Sequence, residues 1–367
     1  MVADGLGVGF LVVGAGFLGK QRAAAVMASR GCRLVAVHDS NIEAARALAS
    51  KHGAKVVDDY NVALESDDVD AVIVATPHAD HYEQVRLALE AGKHVLCEKP
   101  LTVTPSQARH LAIRADELKL RLATGFNHRF YPPIQKALAL VGDWAIGKIV
   151  SVKAVIGHKA TPEFLQSWHT QVERSGGGTL MDNGPHACDL MRRFLGEVVS
   201  AQGTVKNTLD LPSGCESEAT ATFKGNDRGQ GQIHSSWTLA TGYLTIDIEG
   251  TEGKLHVETA PWKLNGVLAN GRRLRRYYLG ERFSERRFRG LYGCERSFVR
   301  ELESFVAKPN TPAAVLGATG WDGHRTTEMI DAVYRSAAEG GVEVALQPNL
   351  LQFPAEMDVQ ASSGDWA

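Results

Sequence analysis

Glycines at 14, 16 and 19 in "VVGAGFLGK" leave a backbone able to receive an anion. Gly14 permits a tight turn, Gly16 lets the main chain approach a pyrophosphate, and Gly19 lets the next helix pack on the preceding strand. Phe17 and Leu18 lie inside this turn, where the first free N–H groups of a helix point at the ligand. Asp39 follows Gly19 by 20 residues, at the end of the next apolar run, where a carboxylate accepts from the hydroxyls of an adenosine ribose. The spacing is that of a dinucleotide site, with a purely structural glycine turn as the alternative. A carboxylate beside the 2′ position repels a 2′-phosphate, and Ser40 and Asn41 bring no positive charge, so NAD is expected over NADP.

In "HVLCEKPLT", residues 94–102, an apolar run ends in an acid, a base and a proline. A strand leaving the core at Glu98 and Lys99 carries an ammonium group to the edge of its sheet. A cis Lys99–Pro100 bond is expected, because cis bonds occur almost only before proline. "TPHADH", Thr76 to His81, and "NHRFYP", Asn127 to Pro132, follow two further apolar runs in the same way. Ligands of open parallel sheets bind outside the carboxyl ends of the strands, so Thr76, Pro77, His81, Glu98, Lys99 and Asn127 converge with the glycine turn on one crevice. Glu98 either pairs with Lys99 or accepts from the cofactor. Taken singly, Thr76 and Pro77 also read as an ordinary helix start, His81 as a surface residue, and Glu98 with Lys99 as a surface ion pair.

"SGGGTLMDNGPHACDLMRRFLG" sets Asp182 and His186 four positions apart. On one helix they share a face, where a carboxylate orients an imidazole for proton transfer. A capping Asp182 with a packed His186 is the competing reading, and Gly184 and Pro185 make the first turn irregular. Trp168 and His169 precede the glycines as candidate pocket walls. Asn127 and Arg129 are expected near the nicotinamide or the substrate, and Asn183 is a candidate partner for hydroxyls.

The elements that position these residues follow from hydrophobic spacing. Apolar runs at 8–13, 34–38, 71–75, 94–97 and 122–126 alternate with helical patterns at 17–30, 41–52, 79–92 and 104–119. This predicts a doubly wound parallel sheet with helices on both faces, an α/β dinucleotide-type (Rossmann) domain over residues 1–127. Beyond 148, strand-like runs at 148–157, 198–207, 217–224, 230–239, 243–249 and 253–258 lack intervening helices, and several alternate with period two. They predict an open, mostly antiparallel sheet with one buried face, within an α+β domain over 128–350. Helices are expected at about 134–141, 184–195, 295–307 and 322–339, the last two returning to the cofactor domain. Residues 351–367 are a polar tail expected to be poorly ordered.

A chain of 367 residues fits two domains, and 44% apolar with 22% charged residues is a globular composition. A net charge of −2 gives no support to a nucleic-acid or membrane-surface role. Five scattered cysteines without a CxxC pair argue against a disulfide framework or a zinc cluster and suit a reducing compartment. No apolar run reaches transmembrane length, and the first strand begins within about ten residues of the start with no Lys or Arg before Lys20, so a secretory signal is not expected and the cytoplasm is the default location. Residues 272–289 hold eight arginines. They read either as a contact to an acidic or nucleotide-linked sugar or as a solvated hairpin or subunit contact, with nucleic acid a poorer third choice.

The glycine turn, "TPHADH", "AGKHVLCEKPL" and "GGGTLMDNGPHACDL" together resemble the Gfo/Idh/MocA oxidoreductases, over about residues 8–345. The resemblance implies a Rossmann domain joined to a mostly antiparallel sheet that forms an oligomer interface, hence a homo-oligomer, dimer or tetramer. It implies hydride transfer between nicotinamide and a secondary alcohol of a sugar or cyclitol, with no metal required. Carried over by motif, Lys99, Asp182 and His186 are the catalytic set: His186 moves the hydroxyl proton, Lys99 stabilises charge on the oxygen, and Asp182 positions His186 or the substrate hydroxyl. A reductase or oxidase of a nucleotide-linked or keto sugar, using NAD or NADP, is the nearest alternative. A non-catalytic dinucleotide sensor is a further one, against which the intact Lys99, Asp182 and His186 set argues.

Overall fold

Short runs of Val, Ile, Leu and Ala without polar alternation bury both faces, as strands covered by helices on both sides must. The computed structural model describes residues 7–226, 229–240, 243–308, 311 and 316–347; the tail expected at 351–367 lies outside them. Strands β1 (Val8–Val13), β2 (Cys32–His38), β3 (Lys55–Val56), β4 (Ala71–Val74), β5 (His94–Cys97) and β6 (Leu122–Thr124) form a parallel sheet in the order β3-β2-β1-β4-β5-β6. Between them run α1 (Phe17–Ala28), α2 (Ile42–His52), α3 (Tyr60–Leu64), α4 (His78–Glu90) and α5 (Pro105–Leu118). Strand order reverses between β1 and β4, and a crevice opens at that point outside the carboxyl edge. Local chemistry fixes the helix ends. Asn41 accepts from Ala44 N at the start of α2 and Gly53 ends it at φ 68°, while Thr104 accepts from Gln107 N ahead of Pro105 in α5.

The chain then makes a 3₁₀ turn, Asn127–Phe130, and enters α6 (Pro132–Gly142). The second sheet contains β7 (Ile149–Gly157), β8 (Val198–Lys206), β9 (Glu218–Gly225), β10 (Gln230–Ser236), β11 (Leu244–Gly250), β12 (Lys254–Thr259), β13 (Trp262–Val267), β14 (Arg273–Arg276) and β15 (Val344–Ala345), in the order β14-β13-β12-β11-β7-β10-β9-β8-β15. Every pairing is antiparallel except β7 with β10. In β11, Leu244, Ile246 and Ile248 are buried while Asp247 and Glu249 are exposed, the alternation of a sheet with one solvated face. Short helices α7 (Pro162–Leu165), α8 (Val172–Ser175) and α9 (Thr179–Asp182) lead into α10 (Gly184–Leu195). The core under this sheet joins Leu190, Met191 and Phe194 of α10 to Ile156, Phe223, Ile246 and Val257.

Among the described residues, three further helices follow: α11 (Leu279–Tyr292), α12 (Arg296–Val306) and α13 (Gly320–Ala338). As expected, the last two return to the first domain. Leu302 and Phe305 of α12 enter the core beneath β1, and α13 packs on α5 and β8. Residues 272–289 begin as the second arm of the β13–β14 hairpin and continue into a helix. They supply the edge strand β14 and most of α11, and Arg276 and Arg289 pair with Glu281, Glu285 and Glu295.

Candidate active site

The glycine turn has the shape its sequence requires. Gly14 adopts φ +96°, with Ala75 carbonyl so near that a Cβ would lie 2.5 Å from it, and a Cβ on Gly19 would come within 1.8 Å of Gly14 carbonyl oxygen. A Cβ on Gly16 would meet nothing within 4 Å, so the main chain there is open to a ligand. Gly16 caps α1 without a side-chain hydrogen bond, and the first turn carries no acid, which leaves the helix N-terminus free for an anion. Asp39 accepts from Ala15 N at 2.6 Å and Asn41 N at 2.7 Å, fixing its carboxylate at the mouth of the crevice. Each carboxylate oxygen keeps capacity for a further donor. These features fit the dinucleotide expected from the sequence.

One cleft of about 1130 Å³ runs from this turn to the second domain. Gly14, Gly16, Phe17, Leu18, Asp39, Ser40, Thr76 and Pro77 line one end. Glu98, Lys99, Asn127, Trp168, His169, Asp182, Asn183 and His186 line the rest. The Lys99–Pro100 bond is cis. Lys99 Nζ donates to Asp182 Oδ1 at 3.0 Å and to Asp182 carbonyl oxygen at 2.7 Å, joining the domains and leaving one N–H for the cleft. Asn183 Nδ2 donates to Asp182 Oδ2 at 3.1 Å. Glu98 accepts from Arg22 Nε at 2.7 Å and from Lys99 N at 3.2 Å, so its partner is Arg22 and not the lysine ammonium. Trp168 stacks on His169 at 4.0 Å and meets His78 edge-on at 4.8 Å.

Three expectations change. Asp182 does not orient His186: its carboxylate is held by Lys99 and by Asn183 Nδ2. His186 is buried, and its Nδ1 has no hydrogen-bond partner among the described residues. Arg129 is withdrawn from the cleft: it is buried, donates from Nε to Asp189 at 2.7 Å, pairs with Asp322 at 3.2 Å and reaches Gly317 carbonyl oxygen at 3.1 Å. His81 is also buried. Its Nδ1 lies 2.8 Å from Pro100 carbonyl oxygen and its Nε2 3.0 Å from Thr76 carbonyl oxygen, so it ties two loops of the cleft together from behind. Gly19 serves helix packing, as its spacing implied.

Several cleft residues escaped the sequence reading. His78 and His128 lie inside the quoted motifs "TPHADH" and "NHRFYP", but only the register of each turn decides which histidine faces inward. Tyr131 lies in the second of these motifs as well, whereas Tyr243 and Trp262 carry no local signal, because their positions depend on how the two sheets meet. Glu216 supports the site from outside: it accepts from Gly178 N at 2.9 Å and Leu180 N at 2.7 Å, anchoring the start of α9.

Burial pushes the Asp182 carboxyl up, but the Lys99 ammonium, then His169 and His78, outweigh it and hold the group well below the usual carboxylate range. Burial first, then His128, Lys99 and Arg22, press His186 far below 6.5, so its imidazole is neutral at pH 7. Burial lowers His128 to about 3, helped by Lys99, and His78 moves the same way. All three rings have folded values below the unfolded one, so the unfolded chain takes up more protons below pH 6.5. Their stabilisation is complete above 6.5 and lost as pH falls below it, by up to about 1.4 kcal/mol per pH unit per independently titrating ring. Glu301, pushed up to about 7 by burial, acts in the opposite sense between 4.5 and 7, one carboxyl against three imidazoles. The unfolding midpoint is therefore expected to hold level from pH 8 to 7 and fall from 6.5 to 5; a rise over that lower interval in a thermal scan would contradict these neutral rings.

A parallel dinucleotide sheet, a phosphate turn and a lysine meeting a carboxylate from a second domain define a two-domain NAD-binding oxidoreductase. Residues 8–126 match the oxidoreductase family with the NAD-binding Rossmann fold, and residues 134–256 match the Gfo/Idh/MocA C-terminal domain. The chain belongs to the Gfo/Idh/MocA family. It is 30% identical over 339 residues to inositol 2-dehydrogenase of Rhizobium meliloti (strain 1021), covering 90% of this chain and 97% of that one. D-glucoside 3-dehydrogenase of Escherichia coli (strain K12) is 38% identical over 190 residues, 50% of this chain and 53% of the relative. Among solved structures, GenD2 from gentamicin A biosynthesis, in complex with NAD, superposes with a TM-score of 0.75 at 27% identity, over 95% of this chain and 99% of that one.

Proposed function

We propose that the protein transfers hydride between NAD and a secondary alcohol of a sugar or cyclitol, with Lys99, Asp182 and His186 as its catalytic residues. The observation that carries this is the meeting of Lys99 from the first domain with Asp182 and His186 from the second, in the cleft that begins at the glycine turn. Inositol 2-dehydrogenase and D-glucoside 3-dehydrogenase among the relatives support that substrate class.

Bound NAD supplies the hydride acceptor, and its reduced form the donor. His186 has its Nδ1 buried, so Nε2 is the ring nitrogen open to the cleft. Neutral at pH 7, it takes the hydroxyl proton at Nε2 during oxidation and returns it during reduction. Lys99 directs its remaining N–H at the substrate oxygen, where negative charge grows as the proton leaves. Asp182 keeps that ammonium charged and aimed, and Asn183 and Trp168 face the rest of the substrate.

We place the cofactor domain at residues 1–127 and the substrate domain at 128–350. A homo-oligomer, dimer or tetramer, through the second sheet is supported by Val155 and Val199, which stand 37% and 40% exposed on strands of that sheet. A cytoplasmic setting agrees with five unpaired cysteines and, among the described residues, with no helix long and apolar enough to cross a membrane. The test is a panel of inositols, hexoses, glycosides, sugar acids and nucleotide sugars with NAD and NADP, followed at the NADH absorbance band. Turnover with a free cyclitol or sugar and a preference for NAD are expected. Turnover confined to nucleotide sugars would move the assignment to that class, and no turnover with any secondary alcohol despite NAD binding would sink it.

A further inference from the structure

In proton-transferring histidines, the ring nitrogen away from the substrate is commonly held by a carboxylate or carbonyl. Among the described residues His186 has no such partner, although the residue is only 5% exposed. What it has is a second imidazole. His128, from the 3₁₀ turn after β6, lies face to face with it at 3.8 Å between ring centroids and 12° between planes. His128 is 3% exposed, its Nδ1 is likewise buried without a partner, and Tyr131 stacks on it at 4.7 Å. Tyr243 meets His128 edge-on at 5.2 Å, and Phe126 meets His186 edge-on at 6.2 Å. Both histidines line the cleft, each with Nε2 as its open nitrogen.

We propose that His128 is a positioning residue for proton transfer: its ring, clamped between Tyr131 and His186, fixes the plane of His186 in place of the missing hydrogen-bonded partner. This rests on His186 being the proton-transfer group. Ring stacking fixes the plane and the distance of an imidazole, which a hydrogen bond would otherwise do, and misplacement by about 1 Å at such a centre costs on the order of 10²-fold in rate. Two imidazoles 3.8 Å apart in a buried site also resist double protonation. His128 thus works with the cations Lys99 and Arg22 of α1, which also bear on His186, to keep a free lone pair on it. Tyr131 and Tyr243 are the remaining titratable groups against the pair, with Glu295 bearing on both of them and Asp182 and Glu98 also bearing on Tyr243.

The test compares His128→Ala, His128→Phe and His186→Gln in the full-length enzyme, with the alcohol substrate found by the panel. His128→Ala removes the clamp and is expected to lower kcat roughly 10–100-fold, with KM for NAD within about twofold. His128→Phe keeps a flat ring, so it should recover most of the rate lost by the alanine variant. Because it lacks the second imidazole, the acid limb of its kcat/KM profile should move up toward 6.5. Wild-type kcat and pH profile in both His128 variants would overturn the proposal. So would a phenylalanine variant as slow as the alanine one with an unmoved acid limb, or a loss confined to KM. If His128→Ala fails to fold, the rate and pH profile of His128→Phe decide alone. His186→Gln separates the two levels: if it stays active, the assignment of His186 itself fails, whereas an inactive His186→Gln beside wild-type-like His128 variants removes only the clamp.

Discussion

Replacing Lys99 with methionine is expected to lower kcat about 10²–10³-fold while the affinity for NAD stays within about threefold, because the ammonium acts on the substrate oxygen and not on the dinucleotide phosphates. On the proposed reading the phosphates fall to the turn at Gly14 and Gly16 and to the free N-terminus of α1, on the opposite stretch of the cleft. Methionine keeps the length of the side chain but leaves Asp182, 13% exposed, without its cation. Part of the loss therefore reflects a carboxylate returning toward protonation, because the cation that does most to hold it down is gone. A Lys99→Met/Asp182→Asn double variant isolates that part: it should be no slower than Lys99→Met alone, since the pair works as a unit. Lys99 also helps keep His186 neutral, so the acid limb of the residual activity should move up in the single variant. Single-turnover kinetics and calorimetric titration with NAD measure the two quantities separately. Equal losses in both would make Lys99 a cofactor anchor, and a change in kcat of less than threefold would remove it from the chemistry.

What the sequence made legible follows from the range of each interaction. The glycine turn, Asp39 and the Glu98-Lys99-Pro100 step are set within a few residues of a buried strand, and parallel strands carry such steps to a common edge whatever the rest of the chain does. The alternation in β7 to β12 is equally local. The features that escaped are decided from afar. β3 has only two residues, too few for a pattern. β13 interleaves Lys263, Asn265 and Gly266 with its apolar positions near the sheet edge, and α11 carries Gly280, Gly290 and many arginines on a mostly solvated helix. Asp182 found Lys99, 83 positions away, instead of His186 in the next turn, because a cation brought in by the other sheet outcompetes a local imidazole. The stack of His128 on His186 joins residues far apart in the chain, and nothing in either segment announces it.

Arg129 is the sharpest case of a charge whose role lies in the assembly of the fold. Placed by sequence beside the substrate, it is 3% exposed and sits between Asp189 of α10 and Asp322 of α13. Desolvation works against its charge, but the two carboxylates more than offset this and raise its proton affinity. Asp322 also pairs with Arg192 at 3.0 Å, and it completes the capping box of α13 with Thr319. Arg129 thus pins the turn after β6 to α10 and α13. In Arg129→Met, Asp322 keeps Arg192 as a hydrogen-bonded partner, but Asp189 loses a bidentate partner while 1% exposed. Removing one member of such a buried pair costs about 3–5 kcal/mol, which for a chain of this size lowers the unfolding midpoint by roughly 5 °C. Arg129→Met/Asp189→Leu removes both charges and should recover part of that loss, since no carboxylate is then left stranded. Below the lowered midpoint, KM for the sugar should match that of the parent enzyme in both variants. A tenfold rise in KM for the sugar without a change in midpoint, read by calorimetry and steady-state kinetics on the same samples, would return Arg129 to the substrate.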